Sequence, residues 1–109
     1  MHRISVDRAP RAVVVTASGE LDAYVAPELR AALEQTGVDH LIADLTAVSF
    51  MDSTALGLLV RTVRDRNESG GETRVVLPQS TARRIFEITT LDRVLPVSQS
   101  LREALAELH

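Results

Sequence analysis

The residues best placed to do chemistry form one short run, Asp52-Ser53-Thr54, just ahead of an apolar helical pattern. A carboxylate and two hydroxyls at the start of a helix lie beside unpaired backbone N–H groups and the positive end of the helix dipole. A phosphate carried there is well accommodated. The plainer reading is that Ser53 caps the helix, with Asp52 just before it, a contribution of about 1 kcal/mol. Phe50 and Met51 stand between a strand and these polar residues. At least one is expected at the sheet edge, unless both tuck under the helix as a hydrophobic staple. Asp22, in Gly19-Glu20-Leu21-Asp22, is the second carboxylate of interest: it brackets the first helix or lies near Ser53.

A catalytic role for Ser53 requires a base within hydrogen-bond reach. The histidines are His2, His40 and His109. His40 starts the strand whose far end leads to Ser53, and five strand residues put it about 16 Å away. The other two lie near the chain ends. There is no G-x-S-x-G elbow, no H-x-x-x-H or H-E-x-x-H metal pattern, and no Walker A or G-x-G-x-x-G phosphate loop. Gly70-Gly71 reads as a helix stop. No catalytic residue, metal or cofactor is therefore expected, and Ser53 reads as a group on which another enzyme acts. Thr54 is a second acceptor or, more plainly, a hydroxyl in the first helical turn.

The elements that position these residues follow from periodicity. His2–Val6 alternates weakly, as an edge strand does, and Ala12–Ala17 is a β-branched run suited to a buried strand. Gly19–Asp22 is expected to break it. Pro27 suits the first turn of a helix in which Leu29, Ala32 and Leu33 share a face and Gly37 supplies the C-cap. Leu41–Leu45 reads as a strand, Thr46–Asp52 as a loop, and Ser53 to Glu68 as a helix with Leu56, Leu59, Val60 and Val63 on its buried stripe. Arg61–Asp65 and Arg64–Glu68 are spaced as ion pairs on the wet side.

Arg74–Leu77 is a further strand closed by Pro78. Ser80 then caps a helix carrying Ala82, Ile85 and Phe86. Val94–Val97 is a last strand, and Ser100–Glu103 is a capping box ahead of Leu101, Ala104, Leu105 and Leu108. The order β-β-α-β-α-β-α-β-α predicts one α/β domain over residues 1–109: a mixed, mostly parallel sheet of four to five strands with about four helices. Parallel strands send their βα loops to one edge. Gly19–Pro27 and Thr46–Ser53 are therefore expected to share it.

Composition narrows the partners. The chain has 109 residues, 45% hydrophobic and 25% charged, as a globular domain of this size requires. With only Tyr24, Phe50 and Phe86 aromatic, its core must be aliphatic. Twelve basic against fifteen acidic residues, net −3, leave no basic face for nucleic acid or an anionic membrane. Every base is Arg, which reads as the compositional bias of a GC-rich genome. The absence of cysteine removes disulfides, thiolate catalysis and the commonest zinc sites. The charged N-terminus is unlike a signal peptide, and Ala55–Val60, the longest apolar run, is far short of the ~20 residues of a membrane span. A cytoplasmic protein is expected.

Taken together, Gly19-Glu20-Leu21-Asp22, Ala26-Pro27-Glu28-Leu29, Asp44 to Gly57 through the Met51-Asp52-Ser53 block, Gly70-Gly71 and Leu91-Asp92 resemble the STAS domain family. More specifically, the chain looks like the stand-alone bacterial anti-sigma factor antagonists of that family, over nearly its whole length. The resemblance implies a protein that binds an anti-sigma factor of the serine-kinase type and so frees a sigma factor for transcription. The kinase phosphorylates the serine after the aspartate of the block, here Ser53, which releases the antagonist, and a serine phosphatase reverses this. It also implies a partner-binding surface around Asp22, Tyr24, Phe50, Met51, Asp52 and Thr54. Family members usually carry Gly where this chain has Ala55, whose methyl is expected to hinder a partner's close approach. The same fold also serves as a constitutive interaction subunit, in stress-sensing scaffolds or lipid-transport ATPase complexes, without a phospho-switch. Nucleotide binding at the same edge is a third possibility.

Overall fold

A computed structural model describes residues 1–10, 12–34, 40–77 and 95–108. The elements are β1 (His2–Arg8), β2 (Val13–Leu21), α1 (Ala26–Glu34), β3 (His40–Met51), α2 (Ser53–Glu68), β4 (Glu72–Val76), β5 (Val97–Ser98) and α3 (Leu101–Glu107). The expected helix at Ser80–Phe86, the Gly37 cap and Leu91-Asp92 lie outside the described residues. Three helices are therefore described, against the four or so expected. The α/β class holds: one five-stranded sheet in the order β1-β2-β3-β4-β5. β1 is antiparallel to β2 and every later pair is parallel.

The Ala12–Ala17 run is apolar at every position but Thr16 because it serves both faces of the sheet. Val13, Val15 and Ala17 point into the main core with Leu29, Leu33, Leu56 and Leu59 of α1 and α2. Ala12 and Val14 join Ile42, Val76, Ala104 and Leu108 in a smaller cluster under α3. This is the period-two alternation of a strand with helices on both sides. Of the apolar residues spaced along α3, Leu105 is 39% exposed, since Ala104 and Leu108 already fill the face that α3 presents to the sheet.

β1 runs on to Arg8, two residues past its expected end, and β4 begins at Glu72, two residues early; the larger departures lie on the two strands between them. β2 continues through Gly19 to Leu21, and β3 continues past Leu45 to Met51, replacing the loop expected at Thr46–Asp52. The two extensions pair with each other, with register shifts between Thr16 and Ser18 and between Gly19 and Glu20. Each shift adds a residue on β3, and such bulges bend and re-aim a strand. Gly19 adopts φ +81°, and a side chain there would collide with the Met1 carbonyl oxygen. On α2, neither Arg61–Asp65 nor Arg64–Glu68 forms an ion pair among the described residues. Hydration of exposed long side chains competes with so weak a contact.

Candidate functional site

The paired ends of β2 and β3 create the site. Leu21 lies opposite Met51, so Asp22 and Asp52 leave the sheet side by side. Asp52 then ties the two connections together. Its N–H donates to the Leu21 carbonyl at 3.0 Å. Its Oδ2 accepts from the Ala23 N–H at 2.8 Å, and its Oδ1 accepts from the Ala55 N–H at 3.0 Å. The last of these contacts makes Asp52, not Ser53, the N-cap of α2, with extended backbone at φ −95° and ψ 179°. A carboxylate two bonds from the backbone reaches the third helical N–H and still offers its second oxygen to another loop, which a serine hydroxyl cannot do.

Ser53 becomes the first residue of α2, exposed, and its hydroxyl meets no protein group among the described residues. Thr54 beside it is also exposed. Asp22 brackets α1: its Oδ1 accepts from the N–H groups of Tyr24 and Val25, both at 3.1 Å. Tyr24 is 89% exposed and Phe50 44%, an unusual display for the sole aromatic residues described. Met51 differs from its neighbour: at 3% exposure it belongs to the main core, so its side chain does not reach the surface assigned to it. Adjacent strand residues face opposite ways, and Phe50 takes the outward position.

Ala55 also requires correction. It is fully buried in the main core, so its methyl points away from any docking protein. Gly57 stands on the exposed side of α2 with open space where a Cβ would be.

Some features escaped the sequence reading. The Ala23 N–H, as the group Asp52 clamps, carries no side-chain signal. Between α1 and α2 lies an open groove of about 410 Å³, lined by Ala23, Pro27, Arg30, Thr54, Leu58 and Arg61 among others. Arg30 is held by Glu34 at 2.9 Å, whereas Arg61 has no ion-pair partner among the described residues. Thr54, Leu58 and Arg61 recur at i, i+4 and i+7, a spacing that was available but overshadowed by the buried stripe beside it. His40 sits at the opposite end of the twelve-residue β3, and His2 bonds Glu28 through Nε2. His109 lies outside the described residues, among which no cluster of three or more metal-ligating side chains occurs.

Comparison with known proteins places this arrangement. The STAS domain model matches residues 3–104. The chain belongs to the STAS domain family. Its relatives include an anti-sigma-B factor antagonist from Staphylococcus aureus, 38% identical over 88 residues that span 78% of this chain and 82% of the relative. An anti-sigma factor antagonist from Mycobacterium paratuberculosis superposes with a TM-score of 0.90 at 30% identity, covering 99% of this STAS domain and 94% of that chain. SpoIIAA, a Bacillus cell fate determinant and anti-sigma factor antagonist, is similar in both of its forms. The unphosphorylated one gives a TM-score of 0.76 and the phosphorylated one 0.71, each at 28% identity. They cover 94% and 95% of this chain, and 93% and 97% of theirs.

Proposed function

We propose that this STAS domain is an anti-sigma factor antagonist switched by phosphorylation of Ser53. In the bare state, the edge formed by the β2–α1 turn and the start of α2 docks a cytoplasmic anti-sigma factor of the serine-kinase type, and a sigma factor is freed to direct transcription. The kinase transfers the γ-phosphoryl group of ATP to Ser53 Oγ, the hydroxyl proton is lost and ADP leaves. A serine phosphatase returns the hydroxyl by hydrolysis, releasing inorganic phosphate. The domain is the substrate of both enzymes and has no catalytic role in either step. The observation that carries this reading is an exposed Ser53 directly after the capping Asp52, in a chain whose relatives include an antagonist with a phosphorylated form.

The local physics supports an exclusion mechanism. The phosphoryl group adds −1.5 to −2 charges beside the carboxylates of Asp52 and Asp22. The N–H groups of Ser53 and Thr54 have no partner among the described residues, and the helix dipole favours an anion there. The domain itself is thus expected to keep its fold, while a docked surface meets new charge and bulk. Tyr24 and Phe50 supply apolar contact area, with Asp22, Asp52 and Thr54 around them. Met51 acts from beneath by supporting Phe50 and the cap. Gly57 fits the same reading. A mid-helix glycine costs about 1 kcal/mol relative to alanine and has no internal steric reason here, so it suits close approach of a partner one turn beyond Ser53.

The test is intact mass after incubation with ATP and the cognate kinase. Wild type should gain one phosphoryl group and Ser53→Ala none. A titration of the anti-sigma factor should show Ser53→Asp binding at least about tenfold more weakly, a loss of about 1.4 kcal/mol. An unmodified wild type that nonetheless binds its partner would instead favour a constitutive interaction subunit.

A further inference from the structure

β1 forms one edge of the sheet, and no described segment pairs with its outer side. Its even residues turn inward, with Ile4 and Val6 packed against the main core. Its odd residues, Arg3, Ser5 and Asp7, stand exposed on the opposite face, over Ser18, Thr16 and Val14 of β2. Arg3 and Asp7 have no ion-pair partner among the described residues.

We propose that β1 is a self-recognition edge through which two copies of this chain pair antiparallel about a two-fold axis at Ser5. In that register Arg3 of each copy faces Asp7 of the other, Ile4 faces Val6, and Ser5 faces Ser5. The two lone charges of one copy become two cross-strand ion pairs, and the apolar residues continue the core face across the junction. At the ends Arg8 faces His2, whose ring is already bonded to Glu28, so a carboxylate accompanies the two bases.

The alternatives are worse for identifiable reasons. Sliding by two residues sets Arg3 or Asp7 against serine and loses both ion pairs. Sliding by one residue turns the charged face against the apolar face. Parallel pairing sets Arg3 on Arg3 and Asp7 on Asp7. Charge usually protects an edge from pairing with strangers. Here it does so while remaining complementary to itself.

An edge of seven residues buries little area, so the dimer is expected in the micromolar-to-millimolar range. It places the two Ser53 edges at opposite ends of the joined sheet, both open, and it does not depend on how Ser53 is used.

Sedimentation velocity over that concentration range tests it. Wild type should pass from monomer to dimer. Arg3→Asp and Asp7→Arg should each weaken the dimer at least about tenfold, because both ion pairs become repulsions. Mixing these two variants should restore dimers, since each then offers what the other lacks. The double variant R3D/D7R should self-associate like wild type. A wild type monomeric to millimolar concentration overturns the proposal. So does a dimer indifferent to Arg3→Asp, or a mixture that stays monomeric while circular dichroism shows both variants folded.

Discussion

Asp52 and Gly57 illustrate how single residues divide between holding the fold and serving a partner. Asp52 makes four hydrogen bonds that join two connections and start α2, with Leu21, Ala23, Ala55 and Leu56. Its side chain supplies two of them, so Asp52→Ala is expected to lower stability by about 1–2 kcal/mol in urea denaturation. Asp52→Asn should recover much of the cap. Gly57 is the opposite case. With nothing within 4 Å of an added Cβ, Gly57→Ala should raise stability by up to about 1 kcal/mol in the same measurement. It should also weaken binding to the anti-sigma factor. A variant both more stable and fully binding would remove glycine's role in docking. At this scale the sequence was informative about Ser53, whose position after Asp52 and ahead of an apolar stripe marks a helix start. It did not separate cap from first residue, because serine and aspartate are both good caps and only the backbone angles decide.

At the scale of elements, α3 is the least embedded helix described, with one fully buried residue, Ala104. Its start was legible: Ser100 Oγ accepts from the Glu103 N–H at 3.1 Å, as the capping box implies. Its attachment was not. Arg74 of β4 donates to the Ser98 hydroxyl at 3.0 Å, to the Val97 carbonyl at 3.0 Å and to Glu107 at 2.8 Å, while Ser98 Oγ donates to the other Glu107 oxygen at 2.7 Å. These contacts fasten β5 and the end of α3 to β4. Arg74→Ala should cost about 1–3 kcal/mol, because the hydroxyl and carboxylate lose their charged partner in a part-buried setting. Amide exchange should quicken in α3 before it does in α2. Uniform quickening of both would show that the network serves the whole domain instead of one helix. The strand extensions at residues 18–21 and 46–51 were equally hidden. Glycine, serine and threonine there read as loop, and the ladder between β2 and β3 overrides that local preference.

For the whole molecule, the edge around Ser53 is acidic in a chain of net charge −3. Added negative charge should therefore act on the partner more than on the fold. Ser53→Asp is expected to shift the melting temperature by less than about 4 °C, the effect of roughly 1 kcal/mol on a domain of this size. Raising ionic strength should recover part of the binding that this variant loses, because exposed charges are screened beyond about a Debye length. Loss of binding that is insensitive to salt would point to bulk, not charge, as the excluding agent. Among the described residues no helix is long and apolar enough to cross a membrane.

The sequence by itself determined the α/β order, the buried strand at Ala12–Ala17, the buried faces of α1 and α2, and the meeting of the two βα connections at one edge. These follow from periodicity and the handedness of parallel crossovers, which are local or topological rules. Tertiary structure alone decided that β2 and β3 run on together, that Phe50 faces out while Met51 and Ala55 face in, and that Asp52 clasps the Ala23 N–H. Each of these outcomes depends on strand register and on contacts between residues far apart in the chain. A bulge of one residue exchanges inside for outside, and composition carries no record of it.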